Sequence, residues 1–291
     1  MNKPSWTSVL DAAQQGQVRE LVTAATDADG VAPVSEQVLL ALAEKGRHLL
    51  VTKGGVITGY AQLGADELMA EVVVAPEHRR RGTGSALVTE ALRSGPEVRV
   101  WAHGDGIGAQ GLARRLGLVS RRELWQMRLD LSGADLPELA VPQGVRLRTY
   151  EPVADDDAVL AVNNAAFAWH PEQGGWGPDE LAQRRAEAWF DTAGFFLAVD
   201  DDDQLLGFHW TKVHPPEGGD PALGEVYVVG VSPQAQGRGL GRVLTLAGLH
   251  HLRAAGLSTA LLYVESDNTA AVHTYTKLGF TNYHVDVAYG R

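Results

Sequence analysis

The chain has 291 residues, 45% hydrophobic and 21% charged, which suits two packed modules of roughly 145 residues and is too apolar for a disordered chain. No apolar run approaches the ~18 residues of a membrane span, Met1–Asp11 shows no secretion signal, and the absence of cysteine excludes disulfides, thiolate zinc sites and cysteine nucleophiles. Net charge is −11, with 15 basic and 17 acidic residues in 1–140 against 10 and 19 in 141–291; such a field repels nucleic acid and anionic membranes and fits a cytoplasmic protein with neutral or cationic small-molecule substrates.

In chain order, SEQVLLALAEKG (35–46) has helical apolar spacing, with Ser35 placed to cap it. HLLVTKGGVITGYAQL (48–63) reads as a β-hairpin whose second strand carries Gly59. MAEVVVAPEHRRRGTGSALV (69–88) is a strand, a basic glycine-bearing loop and a helix start. RVWAHGDGIGAQGLARRLGLVSRRELWQM (99–127) follows, and then SGADLPELAVPQG (132–144), which has two prolines and no period. Domain boundaries are set accordingly at 1–135 and 145–291, with 136–144 as linker.

The second half repeats the first. RLRTYEP (146–152) reads as an opening strand and LAQRRAEAWF (181–190) as a helix. FFLAVDDDDQLLGFHW (195–210) is the second hairpin, with Gly207 in the place of Gly59 and Asp200–Asp203 as a solvated turn. YVVGVSPQAQGRGLGRVLTL (227–246) matches 69–88 at an offset of 157, aligning Pro76 with Pro233, Arg81 with Arg238 and Gly82 with Gly239. LLYVESDNTAAVHTYTKLGFTNYHVDVAY (261–289) matches 99–127 at an offset of 162. Three blocks in one order indicate a duplicated α/β module, for which one chain as a monomer suffices.

QAQGRGLGRVL (234–244) follows the apolar VYVVGV and opens an apolar-periodic helix. Glycines bring the backbone close to an anion, and the helix start supplies amides and positive potential. The bland alternative is a plain strand-to-helix turn. Neither the lysine-bearing phosphate loop nor the dinucleotide fingerprint matches.

A Gln/Arg-x-x-Gly-x-Gly/Ala loop after a strand, followed by YVESDNTAAVHTYTKLGF (263–280), resembles the GNAT superfamily of N-acetyltransferases. The resemblance implies an α/β fold: two tandem GNAT-like domains, each a mixed, mostly antiparallel central sheet flanked by helices, with acetyl-CoA as co-substrate and no metal. The cofactor-contacting positions it implies are Val72, Val73, Val74, Arg80, Arg81, Gly82, Thr83, Gly84 and Ser85 in the first half. In the second they are Val229, Gly230, Val231, Gln236, Gly237, Arg238, Gly239, Leu240, Gly241, Arg242, Asn268, Thr269, Ala270, Ala271, Val272 and His273. AATDADGVAPVSEQVL (24–39), NNAAFAWHPEQGGW (163–176), GFHWTKVHP (207–215) and LLYVESDN (261–268) are similar, more narrowly, to the mycothiol synthase family of actinobacteria. That likeness implies acetylation of the cysteinyl amine of a cysteinyl glucosaminyl-inositol.

Acetyl transfer to an amine needs a base, because an ammonium is no nucleophile and an α-amino group titrates near ~8. It also needs a donor for the oxyanion and a proton for the departing sulfur. Glu225, at the start of VYVVGV, is the candidate base, directly or through water. Tyr275, in the helix after Asn268, is the candidate acid, and the amide of Val229 or Gly230 the candidate oxyanion donor. The repeat offsets put Leu68, or Glu67 after a one-residue slip, opposite Glu225, with Ala113 opposite Tyr275 and Gly106 opposite Asn268. The first half is therefore expected to keep coenzyme-binding features without catalysis.

By the resemblance, Glu36, Glu172, Lys212, Glu225 and Tyr263 contact the acceptor, so its cleft is expected to draw on both halves. Each has a bland alternative: Glu36 an early-helix carboxylate, Glu172 a solvated loop residue, Lys212 a lysine lying over apolar neighbours. Trp176 and Trp210 are either walls of the site or core. His170, His209 and His214 lack a zinc arrangement. Other tandem acetyltransferases acting on an aminoglycoside or peptide amine, and a non-catalytic acyl-CoA sensor, remain open at the level of spacing.

Overall fold

A computed structural model describes residues 3–65, 68–169, 173–216 and 221–291. The chain forms two compact units, 1–125 with 284–291, and 126–283. These limits differ from the boundaries expected at 135–145. The reason lies in the last strand, β12 (Thr281–Gly290), whose Val287, Ala288 and Tyr289 pair antiparallel with Ala102, Trp101 and Val100 of β5 (Arg99–Ala102). The C-terminal residues thus complete the sheet of the first unit. The expected linker belongs to the second, where Pro137 and Ala134 carbonyls accept from His250 and Arg253.

In the first unit β1 (Ser5–Thr7), β2 (Arg47–Lys53), β3 (Val56–Leu63) and β4 (Met69–Val74) run antiparallel, and β4 pairs in parallel with β5. Helix α1 (Ala12–Asp29) starts on a capping box at Asp11 and ends on the left-handed Gly30. It buries Val18, Leu21, Val22 and Ala25 against Tyr60 and Val73. Helix α2 (Glu36–Leu40) is a single turn and a half extended by a 3-10 turn, shorter than the apolar spacing over 35–46 suggests. Ser35 stands at its N-cap without a side-chain cap; its hydroxyl and amide both donate to Glu71 instead. Helices α3 (Thr83–Ala91) and α4 (Ile107–Leu116) follow β4 and β5, and β6 (Val119–Asp130) leads into the second unit's residues.

The second unit repeats this plan. Strands β7 (Arg146–Thr149), β8 (Phe195–Val199), β9 (Leu205–His214) and β10 (Leu223–Val231) are antiparallel, and β11 (Thr259–Glu265) is parallel to β10. Helices α5 (Asp156–Ala166) and α6 (Pro178–Arg185) lie between β7 and β8; α6 ends before the 190 expected. Helices α7 (Leu240–Ala254) and α8 (Thr269–Lys277) follow β10 and β11. Phe195, Phe208 and Trp210 form the aromatic centre of the core, with Trp210 stacked on Phe195 at 4.7 Å.

The duplication has a packing basis. A Cβ on Gly59 would lie 2.9 Å from Leu87, and one on Gly207 3.0 Å from Leu244. In both units a glycine lets the helix after the loop sit down on the sheet, and both leucines lie at the 157 offset. Arg79 Nε donates to the Val74 carbonyl at 3.2 Å, and Gln236 Nε2 donates to the Val231 carbonyl at 3.5 Å. Each bond ties its loop back to the strand before it.

Candidate active site

Strand β10 changes character along its length. Leu223–Val226 and Val228–Val231 pair with β9 on either side of a bulge at Tyr227. With β11 it pairs only at Gly224–Ala260 and Glu225–Leu261. Beyond Glu225, among the described residues, β10 shows no ladder to β11. Backbone groups on that edge must find other partners, and a ligand running between the strands can supply them. Strand β4 of the first unit has no bulge and pairs with β5 as far as Glu71–Trp101.

The register places four polar side chains on one face. Glu225 is opposite Lys212 on β9 and opposite Leu261 on β11, so Lys212, His214, Glu225 and Tyr263 share a side of the sheet. Glu225 is buried, and its Oε2 lies 2.6 Å from Nε2 of the half-exposed His214. The Lys212 ammonium lies 5.0 Å from the Trp189 ring and 5.5 Å from Tyr227, a cation–π cradle that fixes its direction. The Tyr263 ring is exposed, and its hydroxyl accepts from Gln126 at 2.8 Å.

Helix α8 carries Tyr275. Asn268 caps this helix through its side chain to the Ala271 amide at 3.2 Å. The Tyr275 carbonyl accepts from Phe280, and the two rings meet edge to face at 5.9 Å. In α4 the Ala113 carbonyl accepts from Leu118 in the same way, which confirms the 162 offset and the alanine opposite Tyr275. Burial pushes the Tyr275 phenol up to about 12, so it keeps its proton at neutral pH.

The loop into α7 presents the glycines expected of an anion cradle. Gly237 and Gly239 have φ of +78° and +77°, left-handed values costly for other residues, and no heavy atom crowds a Cβ at either. Gln236, Gly237, Arg238 and Gly239 are exposed, and the first amides of α7, at Leu240, Gly241 and Arg242, open onto them. Upstream, Val229, Gly230 and Val231 form the end of β10. Gly230 also has a packing role, because a Cβ there would lie 2.7 Å from the Phe208 ring. In the first unit Gly82 has φ of +88° at the N-cap of α3, where the helix begins with Thr83, Gly84 and Ser85. Arg80 takes φ of +59° where the second unit has Gly237. A cavity of about 270 Å³ there is lined by Lys53, His78, Arg81 and Thr83 among others.

Several expectations resolve differently. Pairing aligns Met69 with Arg99 as Glu225 is aligned with Leu261, so the first-unit counterpart of Glu225 is Met69, not Leu68 or Glu67; Glu67 itself lies outside the described residues. Glu36 is exposed at the first turn of α2 in the first unit. Glu172 and His170 lie outside the described residues. Trp176 and Trp210 are core: Trp210 is fully buried, and Trp176 lies under the Arg184 guanidinium at 3.9 Å. His209 is buried with Nδ1 2.7 Å from the Leu244 carbonyl; burial lowers its pKa to about 4, so it is neutral. Among the described residues no three His, Asp or Glu side chains are grouped as a metal would need. Sequence reasoning missed His214 as a neighbour of Glu225. Only the hairpin register, His214 opposite Leu223, could have revealed it.

The Acetyltransferase (GNAT) family model matches the chain twice, at 13–118 and 162–280. The chain belongs to the GNAT acetyltransferase family. Its members transfer acetyl from acetyl-CoA, the co-substrate that the strand–loop–helix segments suit. A protein from Nocardia farcinica named mycothiol acetyltransferase is 61% identical, over 98% of this chain and 96% of that protein. One of the same name from Rhodococcus opacus is 58% identical, over 99% and 98%. The solved structure of a GCN5-related N-acetyltransferase from Sphaerobacter thermophilus superposes with a TM-score of 0.71 over 99% of this chain and 95% of that one, at 23% identity. That likeness speaks for the tandem fold alone. No helix among the described residues is long and apolar enough to cross a membrane.

Proposed function

We propose that this acetyltransferase acetylates the cysteinyl amine of a cysteinyl glucosaminyl-inositol, forming mycothiol and CoA. The observation that carries the acceptor is the full-length likeness to relatives named mycothiol acetyltransferase. The site supports the chemistry. Glu225 takes a proton from the amine, directly or through one water, as the nitrogen attacks the acetyl carbon. An amide of the β10 edge at Val229 or Gly230 donates to the oxyanion. The carbon–sulfur bond then breaks, and Tyr275, still protonated, donates to the departing sulfur. Lys212, held over Trp189 and Tyr227, donates to acceptor hydroxyls, and the exposed Tyr263 ring packs on the sugar face.

The pyrophosphate of acetyl-CoA rests on the amides from Gly237 to Arg242, with Arg238 and Arg242 adding charge. The segment from Asn268 to His273, whose Thr269, Ala270, Ala271 and Val272 form the first turn of α8, borders the coenzyme on the other side. The cradle around Arg81, Gly82 and Gly84 binds a second coenzyme without transferring from it, since Met69 and Ala113 replace base and acid. The enzyme works as a cytoplasmic monomer.

The test presents the desacetyl pseudo-disaccharide, an aminoglycoside and a peptide amine to the purified enzyme with acetyl-CoA, and follows CoA release. Preferred turnover of the pseudo-disaccharide supports the reading. No turnover of it rejects the acceptor.

A further inference from the structure

Proton balance sets a problem at Glu225. An α-amine enters mostly as an ammonium at neutral pH, because its pKa is near ~8. On acetylation the nitrogen loses two protons; one replaces the proton that Tyr275 gives to the departing sulfur, and the other is left over. Each turnover therefore discharges one proton, and the base must be cleared of it before the next. The Glu225 side chain is only 8% exposed, so water has poor access to it. Its one hydrogen-bond partner among the described residues is His214, whose side chain is 35% exposed.

We propose that His214 is the proton exit of Glu225, an inference that rests on Glu225 being the base. At rest the ring donates its Nε2 hydrogen to the carboxylate across the 2.6 Å contact; once Glu225 has taken the amine's proton, the half-exposed ring exchanges through solvent to the Nδ1–H tautomer and accepts that proton at Nε2. The imidazolium then releases the Nδ1 hydrogen to water, which restores the carboxylate and its Nε2–H donor. No bond to carbon changes, and no further reactant is needed. Imidazole suits this task because both nitrogens exchange protons near neutral pH. The fold supplies the geometry. Residue 214 lies opposite 223 at the end of the hairpin, two residues along the strand from Glu225 and on the same face, so one ring spans the step from a buried carboxylate to the surface.

The relay and a purely orienting hydrogen bond differ in what replaces the ring. His214→Gln keeps a donor in reach of Glu225 but cannot carry a proton through; His214→Ala removes both. The expected result, in dilute buffer at fixed pH, is a fall in kcat of about tenfold in both variants, a fraction of the full acid–base contribution. Added imidazole should restore kcat in proportion to its concentration, with KM for acetyl-CoA unchanged, while wild type is insensitive. Should His214→Ala unfold, judged by circular dichroism, His214→Gln carries the test. Wild-type rates in His214→Gln without buffer dependence overturn the proposal, as does a loss in a folded variant that imidazole fails to restore. Glu225→Gln is assayed beside them: if it keeps wild-type activity, the base reading itself has failed; if it alone loses activity, only the exit role has.

Discussion

His103 Nε2 lies 3.0 Å from Glu71 Oε2, joining the middle of β4 to the segment just after β5 in the first unit. Asp286 of β12 approaches the other ring nitrogen at 3.3 Å and also accepts from the Gly104 amide at 2.9 Å. Ser35 completes the set on Glu71. At the corresponding place the second unit's strands part beyond Glu225. An ion network thus bridges in one unit what is left without a ladder in the other, and it fastens the returning C-terminal strand.

This network predicts a pH signature in stability. Burial alone would lower the His103 pKa, but hydrogen bonds to Asp286 and Glu71 outweigh it and hold it up at about 9. Glu71 and Asp286 are in turn held below their ordinary values: burial pushes them up, and the bonds to His103 and neighbouring groups prevail. A folded pKa above the unfolded ~6.5 gives stability that is complete below that pH and lost as pH rises through about 9. The carboxylates' share is lost at the acid end instead, as pH falls through their lowered values. His103→Gln should therefore cost about 3 kcal/mol near neutrality. Its melting temperature should converge on that of wild type in scans from pH 7 to about 10. A gap that stays constant over that range would refute the charge of His103.

Glu225→Gln should leave the fold intact and lower kcat by about 10²-fold or more. Amide replaces carboxylate at nearly constant volume, so acetyl-CoA binding should change little. Stopped-flow or steady-state CoA release measures the former and titration the latter.

Tyr275→Phe should lower kcat by about 10- to 10²-fold, with little change in acceptor KM. Because burial raises the phenol to about 12, no loss of wild-type activity below about pH 10 should trace to Tyr275 ionising. A basic limb near pH 9 that disappears in Tyr275→Phe would contradict this.

Gly239→Ala imposes a side chain at φ of +77°, a cost of about 1–2 kcal/mol. The loop must distort or the cradle must open, and acetyl-CoA KM should rise about tenfold with kcat largely kept. Gly82→Ala should instead reduce the number of coenzyme molecules bound per chain, counted by equilibrium dialysis, without slowing turnover.

Beyond its resemblance to an acetyltransferase family, the sequence by itself determined the duplication, the two glycine-bearing loops and the capped helix that carries Tyr275. These are written in local terms: glycine where φ is positive, an asparagine at a helix start, and apolar runs of strand length. The tertiary structure decided what depends on pairing between distant segments. Register, including a one-residue bulge at Tyr227, set Met69 as the counterpart of Glu225 and brought His214 to its carboxylate. It also diverted Ser35 from capping to Glu71 and placed residues 284–291 in the first unit rather than the second. A sheet's side-chain period is two, so a slip of one residue exchanges the faces. No local propensity fixes which partner a strand edge takes.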